Sequence, residues 1–448
     1  MIIKNRRQLA TSRLREQALD IIEAGISRVL PQNIMRSAIS YDHAAHTIKV
    51  ESDNFSITSG RIFVIGGGKA SGLMAQALED IIGAANITDG TVNYKGGSVN
   101  TDKIKVVAAG HPLPDRRGVA GVKQMLALKD RYSIGEGDII ICLISGGGSA
   151  LMPCPADGVS LEDKQEVTRL MLASGAEISE INIVRKHLSQ TKGGRLGAFF
   201  APATVISLIL SDVIGNDLST IASGPTFPDP STFSDAIDVL KRYSLLDKLP
   251  KSVTDFLNKG IRGEAAETPK TLGNCYNYII GDNGLALEAM ADKAAALGLK
   301  PFIISASQKG DTGDIARLRA KEILNGKYAG YNALLISGET TVKLPANAGK
   351  GGRNQHYAMV SIPAMAQYPG EWLVASVGTD GSDFIPDVAG AIVDSDSIDR
   401  IQSMGIDVQP YIKSFDSNTL LGKTGNSLII TGDTGTNVGD VILYLTAR

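Results

Sequence analysis

Glycine clusters that hold a lysine or an arginine, and aspartates that follow apolar runs, are the parts of this chain best suited to chemistry. Lys69 stands in Gly66–Gly67–Gly68–Lys69–Ala70–Ser71–Gly72, and Arg353 in Gly349–Lys350–Gly351–Gly352–Arg353–Asn354–Gln355. A third cluster, Ser145–Gly146–Gly147–Gly148–Ser149–Ala150, closes the apolar run Ile139–Ile144. Adjacent glycines are costly in the unfolded chain, so they are expected where the backbone must turn several N–H groups toward one point or approach a ligand closely. Each cluster is therefore a candidate anion cradle, against the plainer alternative of a tight turn after a strand. Asp212 follows the strand-like run Ala203–Leu210, and Asp380 follows Trp372–Val377. A carboxylate there points into the crevice where doubly wound sheets bind ligands, although aspartate is also a preferred helix cap.

Phosphoryl transfer calls for this set of groups. Its transition state is stabilised by Lys, Arg, backbone N–H groups and a magnesium ion held by carboxylates, and an aspartate near the acceptor hydroxyl can orient it and accept its proton. Arginine's planar fork suits a carboxylate or phosphoryl group through two parallel hydrogen bonds. Arg185, Lys186, Lys192 and Arg195 add four cations within eleven residues, beside Gly193–Gly194. They are expected to form a second wall of an anion pocket, although a basic run is ordinarily a solvated face.

Better-known motifs do not fit. A Walker A loop needs Gly-x-x-x-x-Gly-Lys-Ser/Thr, whereas Lys69 is followed by Ala70. The dinucleotide fingerprint fails by one position, because Ser71 stands where its third glycine belongs. Ser149 is not a hydrolase nucleophile elbow, since Leu151 occupies the second glycine position.

The elements that must hold these groups read as alternating strands and helices. Arg61–Ile65, Ile104–Val107, Ile139–Ile144 and Ala203–Leu210 are apolar strands, and Leu73–Ile82 and Val119–Lys129 are amphipathic helices. One docking helix is expected from Gln8 to Leu30, and Ser160 with Asp163 resembles a capping box that opens a helix through Leu172. The polar Gly263–Lys270 stretch reads as an interdomain linker, after which Tyr276–Ile280 starts a second α/β pattern. Most of Asp387, Asp394, Asp396 and Asp399 are expected to face solvent. The expected organisation is an N-terminal α/β domain over 1–265 and a C-terminal α/β domain over 270–448.

Composition narrows the partners. The chain has 448 residues and a formal charge of −2, which gives no reason to expect nucleic acid or an anionic membrane. Its three cysteines, Cys142, Cys154 and Cys275, form no Cys-x-x-Cys pair, which suits a reducing, cytoplasmic setting. The basic N-terminus runs into an amphipathic pattern, and no stretch approaches about 18 apolar residues, so a soluble protein that is not exported is expected. Monomer and homodimer both remain open.

The ordered motifs resemble one family, the class II glycerate 2-kinases, whose C-terminal part is called the MOFRL domain. The resemblance runs from about Val64 to Asp440. It rests on Gly-Gly-Gly-Lys-Ala at 66–70, Gly-His-Pro-Leu-Pro-Asp at 110–115, Ser-Gly-Gly-Gly-Ser-Ala-Leu at 145–151 and Arg-Lys-His-Leu-Ser at 185–189. Further on stand Lys-Gly-Gly-Arg-Leu at 192–196, Leu-Ser-Asp-Val-Ile-Gly-Asn-Asp at 210–217, Ile-Ala-Ser-Gly-Pro-Thr at 221–226, Gly-Gly-Arg-Asn-Gln at 351–355 and Thr-Gly-Thr-Asn-Val at 434–438. The resemblance implies two Rossmann-like α/β domains with an active-site cleft between them, and ATP- and Mg²⁺-dependent phosphorylation of D-glycerate at its 2-hydroxyl. It also implies that Lys69, Asp212, Arg353 and Asp380 carry the active site.

In that reading Lys69 and Arg353 share the phosphoryl group and the substrate carboxylate, in either order. Asp212 activates the hydroxyl and Asp380 holds magnesium, with both aspartates as candidate metal ligands. Gly66, Gly67, Gly68, Ser145, Gly146, Gly147, Gly148, Ser149, Lys192 and Arg195 are the candidate nucleotide contacts. Three departures bear on loop shape and substrate breadth: Ser337–Gly338–Glu339 is one glycine shorter than the family's usual loop, Asp433 replaces a usual proline, and Ser382–Asp383–Phe384–Ile385–Pro386 replaces a Gly-Pro-Thr-like turn. The rival readings are a kinase of a related hydroxy acid such as 2-keto-3-deoxygluconate, an NADP-dependent oxidoreductase using the Gly66–Gly72 loop, and a sugar-phosphate sensor.

Overall fold

The computed structural model describes every residue of the chain except 58, 59, 346 and 448. It divides into two compact units, Ile34–Ile280 and a second made of Met1–Asn33 with Gly281–Arg448.

Six strands form the main sheet of the Ile34–Ile280 unit: β1 (Ile62–Gly68), β2 (Ile87–Tyr94), β3 (Ile104–Ala108), β4 (Ile139–Ile144), β5 (Thr204–Leu210) and β6 (Cys275–Gly281). Their order is β3-β2-β1-β4-β5-β6, and the pairings from β3 through β5 are parallel. Every residue of β1 and β4 is buried, as continuous apolar runs in a parallel sheet require. The winding reverses between β1 and β4, which makes the ends of these two strands the topological switch point where such sheets bind ligands. Four helices matter to the site: α1 (Ser71–Ile82), α2 (Arg116–Tyr132), α3 (Leu161–Ala173) and α4 (Ile178–His187). The expected cap of α3 is present, with Ser160 Oγ accepting the Asp163 N–H.

The sheet of the other unit comprises β7 (Pro301–Gln308), β8 (Ala333–Gly338), β9 (Glu371–Gly378), β10 (Val388–Asp394), β11 (Leu428–Ile430) and β12 (Asp440–Ala447). Their order is β7-β8-β12-β9-β10-β11. The α/β class holds here too, but the sheet is mixed: β7 and β8 pair in parallel, and the remaining pairings are antiparallel. Its helices include α5 (Asn283–Ala296) and α6 (Arg353–Met365). Tyr357 of α6, Trp372 of β9 and Tyr444 of β12 are fully buried in its core, where Tyr444 donates a 2.9 Å hydrogen bond to the Tyr357 hydroxyl.

Several local expectations change. The N-terminal helix is two pieces, Arg6–Leu9 and Arg13–Arg28, because Ser12 caps the second through the Arg15 N–H. The longer piece packs on α5 so closely that a Cβ on Gly25 would lie 2.6 Å from Met290 Cγ. Its Arg15, 1% exposed, ion-pairs with Asp394, which is therefore buried and not solvent-facing. Residues 1–33 thus belong with the C-terminal unit and not with 34–265. The Gly263–Lys270 stretch does not link units. Thr268 is buried, and Glu267 accepts the N–H groups of Phe233 and Thr268 and lies 2.8 Å from His187 Nε2. Tyr276–Ile280 lies within β6, the edge strand of the first sheet, so the unit boundary falls at 280 instead of 265–270. Among the described residues no helix is long and apolar enough to cross a membrane.

Candidate active site

Register brings three of the sequence-predicted groups to one edge of the first sheet. Gly67 of β1 stands opposite Ile144 of β4, and Ile144 opposite Ile209 of β5. Lys69, Ser145 and Asp212 follow these positions by two, one and three residues. Lys69 and Asp212 are both partly buried.

The glycines serve the meeting of two loops as much as any ligand. A Cβ on Gly68 would lie 2.1 Å from Ser145 Oγ, so no side chain fits there. Two N–H groups expected to face an anion are used inside the protein: Lys69 N–H donates to the Gly146 carbonyl at 2.8 Å, and Ala70 N–H to Ser145 Oγ at 2.9 Å. Ala70 gives α1 no side-chain cap, and Lys69 adds its positive charge to the positive end of the helix dipole, which favours an anion there. Gly147 is left-handed, with φ of 78°, and a Cβ on it would meet the His111 ring at 2.9 Å and Lys69 Cγ at 3.3 Å. Gly147 thus keeps open the space between those side chains.

Ser149 joins a polar chain behind this loop. Its hydroxyl lies 2.7 Å from that of Ser223, which donates to Asn182 Oδ1 at 3.1 Å. Ala222 and Ser223 hold left-handed backbone, with φ of 51° and 62°, a strain that non-glycine residues accept only where surrounding structure enforces it. Lys192, 2% exposed, donates to the Ser149 carbonyl at 2.9 Å and the Ala222 carbonyl at 3.5 Å. Burial pushes its amine well below the usual lysine range.

The predicted basic wall does not stay together. Lys186 is buried against Asp229 at 3.2 Å. Arg195 donates to the Ala266 carbonyl at 2.7 Å and lines a cavity of about 680 Å³ with Glu264 and Glu267. Of the four only Lys186 has an ion pair among the described residues; Arg195 feels the charges of Glu267 and Asp229 without a hydrogen bond to either.

In the second unit the ends of β8, β9 and β12 converge, since Asp440 pairs in register with both Gly338 and Gly378. Arg353, the first residue of α6, donates through Nε and Nη2 to the two oxygens of Asp440, at 2.5 and 3.0 Å. Its Nη1 lies 3.1 Å from Glu339 Oε1. Burial works against the guanidinium's charge, but Asp440 and Glu339 outweigh it and hold Arg353 firmly protonated. Asp380 Oδ1 accepts the Ser382 N–H at 3.0 Å, and a Cβ on Gly378 would lie 3.5 Å from Oδ1 of both Asp380 and Asp440. Asp383 caps α6, accepting the Asn354 and Gln355 N–H groups at 3.0 and 2.8 Å. Burial pushes its carboxyl up to about 6 despite those donors. The helix N-terminus is thus already occupied by a protein carboxylate.

Sequence reasoning passed over Asp440 and Asp383 as site residues. The only signal was their place, each just past a glycine-rich turn. Among the described residues no three His, Cys, Asp or Glu side chains are placed to hold a metal ion. Magnesium ordinarily takes one or two protein carboxylates and completes its shell with water and substrate phosphates. The hard oxygens of Asp212 and Asp380 fit that mode.

Comparison with known proteins bears on the family. Residues 17–258 match a domain of unknown function, DUF4147, and residues 332–440 match the MOFRL family. A glycerate 2-kinase of Pyrococcus horikoshii is 39% identical over 96% of this chain and 98% of its own length. A D-glycerate 2-kinase of Thermotoga maritima is 36% identical over 96% of this chain and 98% of its own. A crystal structure of glycerate kinase from that organism superposes with a TM-score of 0.83 at 35% identity, covering 97% of this chain and 99% of that one. A protein of Agrobacterium vitis that is 40% identical over 85% of this chain and 98% of its own length bears the provisional name of a hydroxypyruvate reductase.

Proposed function

The chain belongs to the MOFRL-domain glycerate kinase family, and from that premise we propose that it transfers the γ-phosphoryl group of ATP to the 2-hydroxyl of D-glycerate, giving 2-phosphoglycerate and ADP. The observation that carries this reading is the register that sets Lys69, the Ser145–Ser149 loop and Asp212 at one sheet edge, at the switch point between β1 and β4. In this mechanism Asp212 orients the 2-hydroxyl and takes its proton as the oxygen attacks phosphorus. The bond between phosphorus and the β–γ bridging oxygen breaks, and the electron pair leaves with ADP.

Lys69, just past the end of β1, neutralises charge on the transferring group, aided by the Ser145–Ser149 loop along the triphosphate. Arg353, with its orientation fixed by Asp440, is the cation that the other unit offers to a phosphoryl or carboxylate group. Magnesium held by Asp380 or Asp212 would neutralise phosphate oxygens, which is the chemistry such an ion supplies. The free thiols Cys142, Cys154 and Cys275 suit a cytoplasmic protein.

The name of the Agrobacterium relative favours a second reading, reduction of hydroxypyruvate. It requires a nicotinamide cofactor, and the incomplete fingerprint at Gly66–Gly72 weighs against it. An ADP-release assay with D-glycerate, run beside a nicotinamide absorbance assay with hydroxypyruvate, separates the two. Glycerate-dependent ADP release without nicotinamide oxidation supports the kinase, and the reverse overturns it.

A further inference from the structure

The Ile34–Ile280 unit buries cations that no carboxylate neutralises. Lys164, on α3, is 7% exposed, and its Nζ has no hydrogen-bond partner. Lys192 bonds only to backbone carbonyls. Arg185, on α4, is partly buried and has no ion pair among the described residues. The three lie close enough that their charges weaken one another: Arg185 acts on Lys164, and both act on Lys192. Lys186, buried in the same unit, is by contrast paired with Asp229. An unpaired buried ammonium is expensive, and an apolar side chain of similar volume would be the more stable choice. The polar chain Ser149–Ser223–Asn182 and the strained Ala222–Ser223 turn adjoin Lys192, so the cations belong to a built polar site.

We propose that Lys164, Arg185 and Lys192 form a buried oxyanion subsite that receives the carboxylate of the hydroxy-acid substrate. This rests on the substrate reading above, and it moves Lys192 from the triphosphate to the acid. Arg185 offers a planar fork matched to a carboxylate, and the two lysines add compact charges. A nucleotide's γ-phosphate must reach the reacting hydroxyl, whereas the carboxylate end of a small acid can be enclosed. The titratable and charged groups around Lys164 are the Cys154 thiol, Arg185 and Lys192, with Lys123 and Asp157 beyond Cys154. Burial lowers Lys164 to about 7, so at about pH 8 it is mostly neutral without ligand. An anion beside it raises its affinity for a proton, and binding draws one in.

Lys164→Met and Arg185→Gln, each in the full-length chain, test this. Kinetics are measured with D-glycerate and ATP, melting temperature without ligand, and calorimetric titration with D-glycerate at about pH 8 in two buffers of different ionisation heat. Each variant is expected to raise the KM for glycerate about tenfold or more while the KM for ATP stays within about twofold. Lys164→Met should melt no lower than wild type and take up fewer protons on binding, with Lys192 still able to accept one. A glycerate KM within about twofold of wild type in both variants overturns the subsite, even if Lys164→Met melts higher. A rise in the ATP KM, or proton uptake driven by inorganic phosphate and not by glycerate, overturns the carboxylate assignment. If Lys164→Met fails to fold, Arg185→Gln decides by the same criteria. A wild type that neither binds nor turns over D-glycerate overturns the activity reading and the subsite together, whereas an active wild type with indifferent variants overturns the subsite alone.

Discussion

Arg353 and Asp440 form a two-point ion pair across 87 residues of sequence, with Nε and Nη2 each on a separate carboxylate oxygen. The fork fixes the plane of the guanidinium and leaves Nη1 on the Glu339 side. Lysine cannot reproduce this geometry. Arg353→Lys is expected to lower kcat/KM about a hundredfold, on the order of 3 kcal/mol, because one oriented transition-state contact is lost. Asp440→Asn keeps one acceptor and should cost less, about tenfold, or about 1.4 kcal/mol. Steady-state kinetics on both variants, with circular dichroism to show retained folding, checks the ranking.

Lys69 is bracketed by two backbone hydrogen bonds to the Ser145–Gly146 loop, so its main chain does not depend on its side chain. Lys69→Ala should therefore fold normally and lose turnover about a hundredfold, on the order of 3 kcal/mol. Near-normal rates at saturating ATP would remove Lys69 from the site.

Asp212 and Asp380 are assigned different work, and their variants should differ. Asp212→Asn is expected to depress kcat about a hundredfold or more with little change in KM, as loss of a general base does. Asp380→Asn should instead raise the magnesium concentration needed for half-maximal rate, and EDTA should abolish wild-type activity. Magnesium titrations of the three proteins separate the roles.

Glu322 gives a stability prediction independent of the active site. Burial opposes its ionisation, but Lys327, Arg319 and Tyr328 donate to it and lower it to about 2. A carboxyl lowered in the folded state stabilises it above the unfolded value, about 4.3, and that contribution fades as pH falls toward 2. Glu322→Gln should cost about 1–2 kcal/mol at neutral pH, after allowance for solvent screening. The deficit, measured by urea denaturation, should shrink steadily below about pH 4.

Much of the first unit was legible because its signals are local. An apolar run and a lysine at a helix start are neighbours in sequence, although Gly66–Gly68, read as a turn, continue the strand, and Ser160 and the Asp163 N–H it caps are neighbours too. What sequence missed depends on distant pairing. His187 meets Glu267 from 80 residues away, and Asp394 meets Arg15 from 379, so neither pairing could be recognised, nor the burial of Asp394. Arg185, Lys186, Lys192 and Arg195 form one basic run in sequence, yet Asp229 and the Ala266 carbonyl draw two of them aside. Lys164 carried no motif at all. Its interest lies in being buried without a partner, which only the fold shows.

Product identity tests the central claim most directly. Purified protein is incubated with ATP, magnesium and D-glycerate, and the product is offered to enolase, which accepts 2-phosphoglycerate and not the 3-isomer. The account predicts stoichiometric ADP release and immediate formation of phosphoenolpyruvate. ADP release whose product enolase cannot use until a phosphoglycerate mutase is added would contradict the assignment to the 2-hydroxyl, and no glycerate-dependent ADP release would contradict the kinase itself.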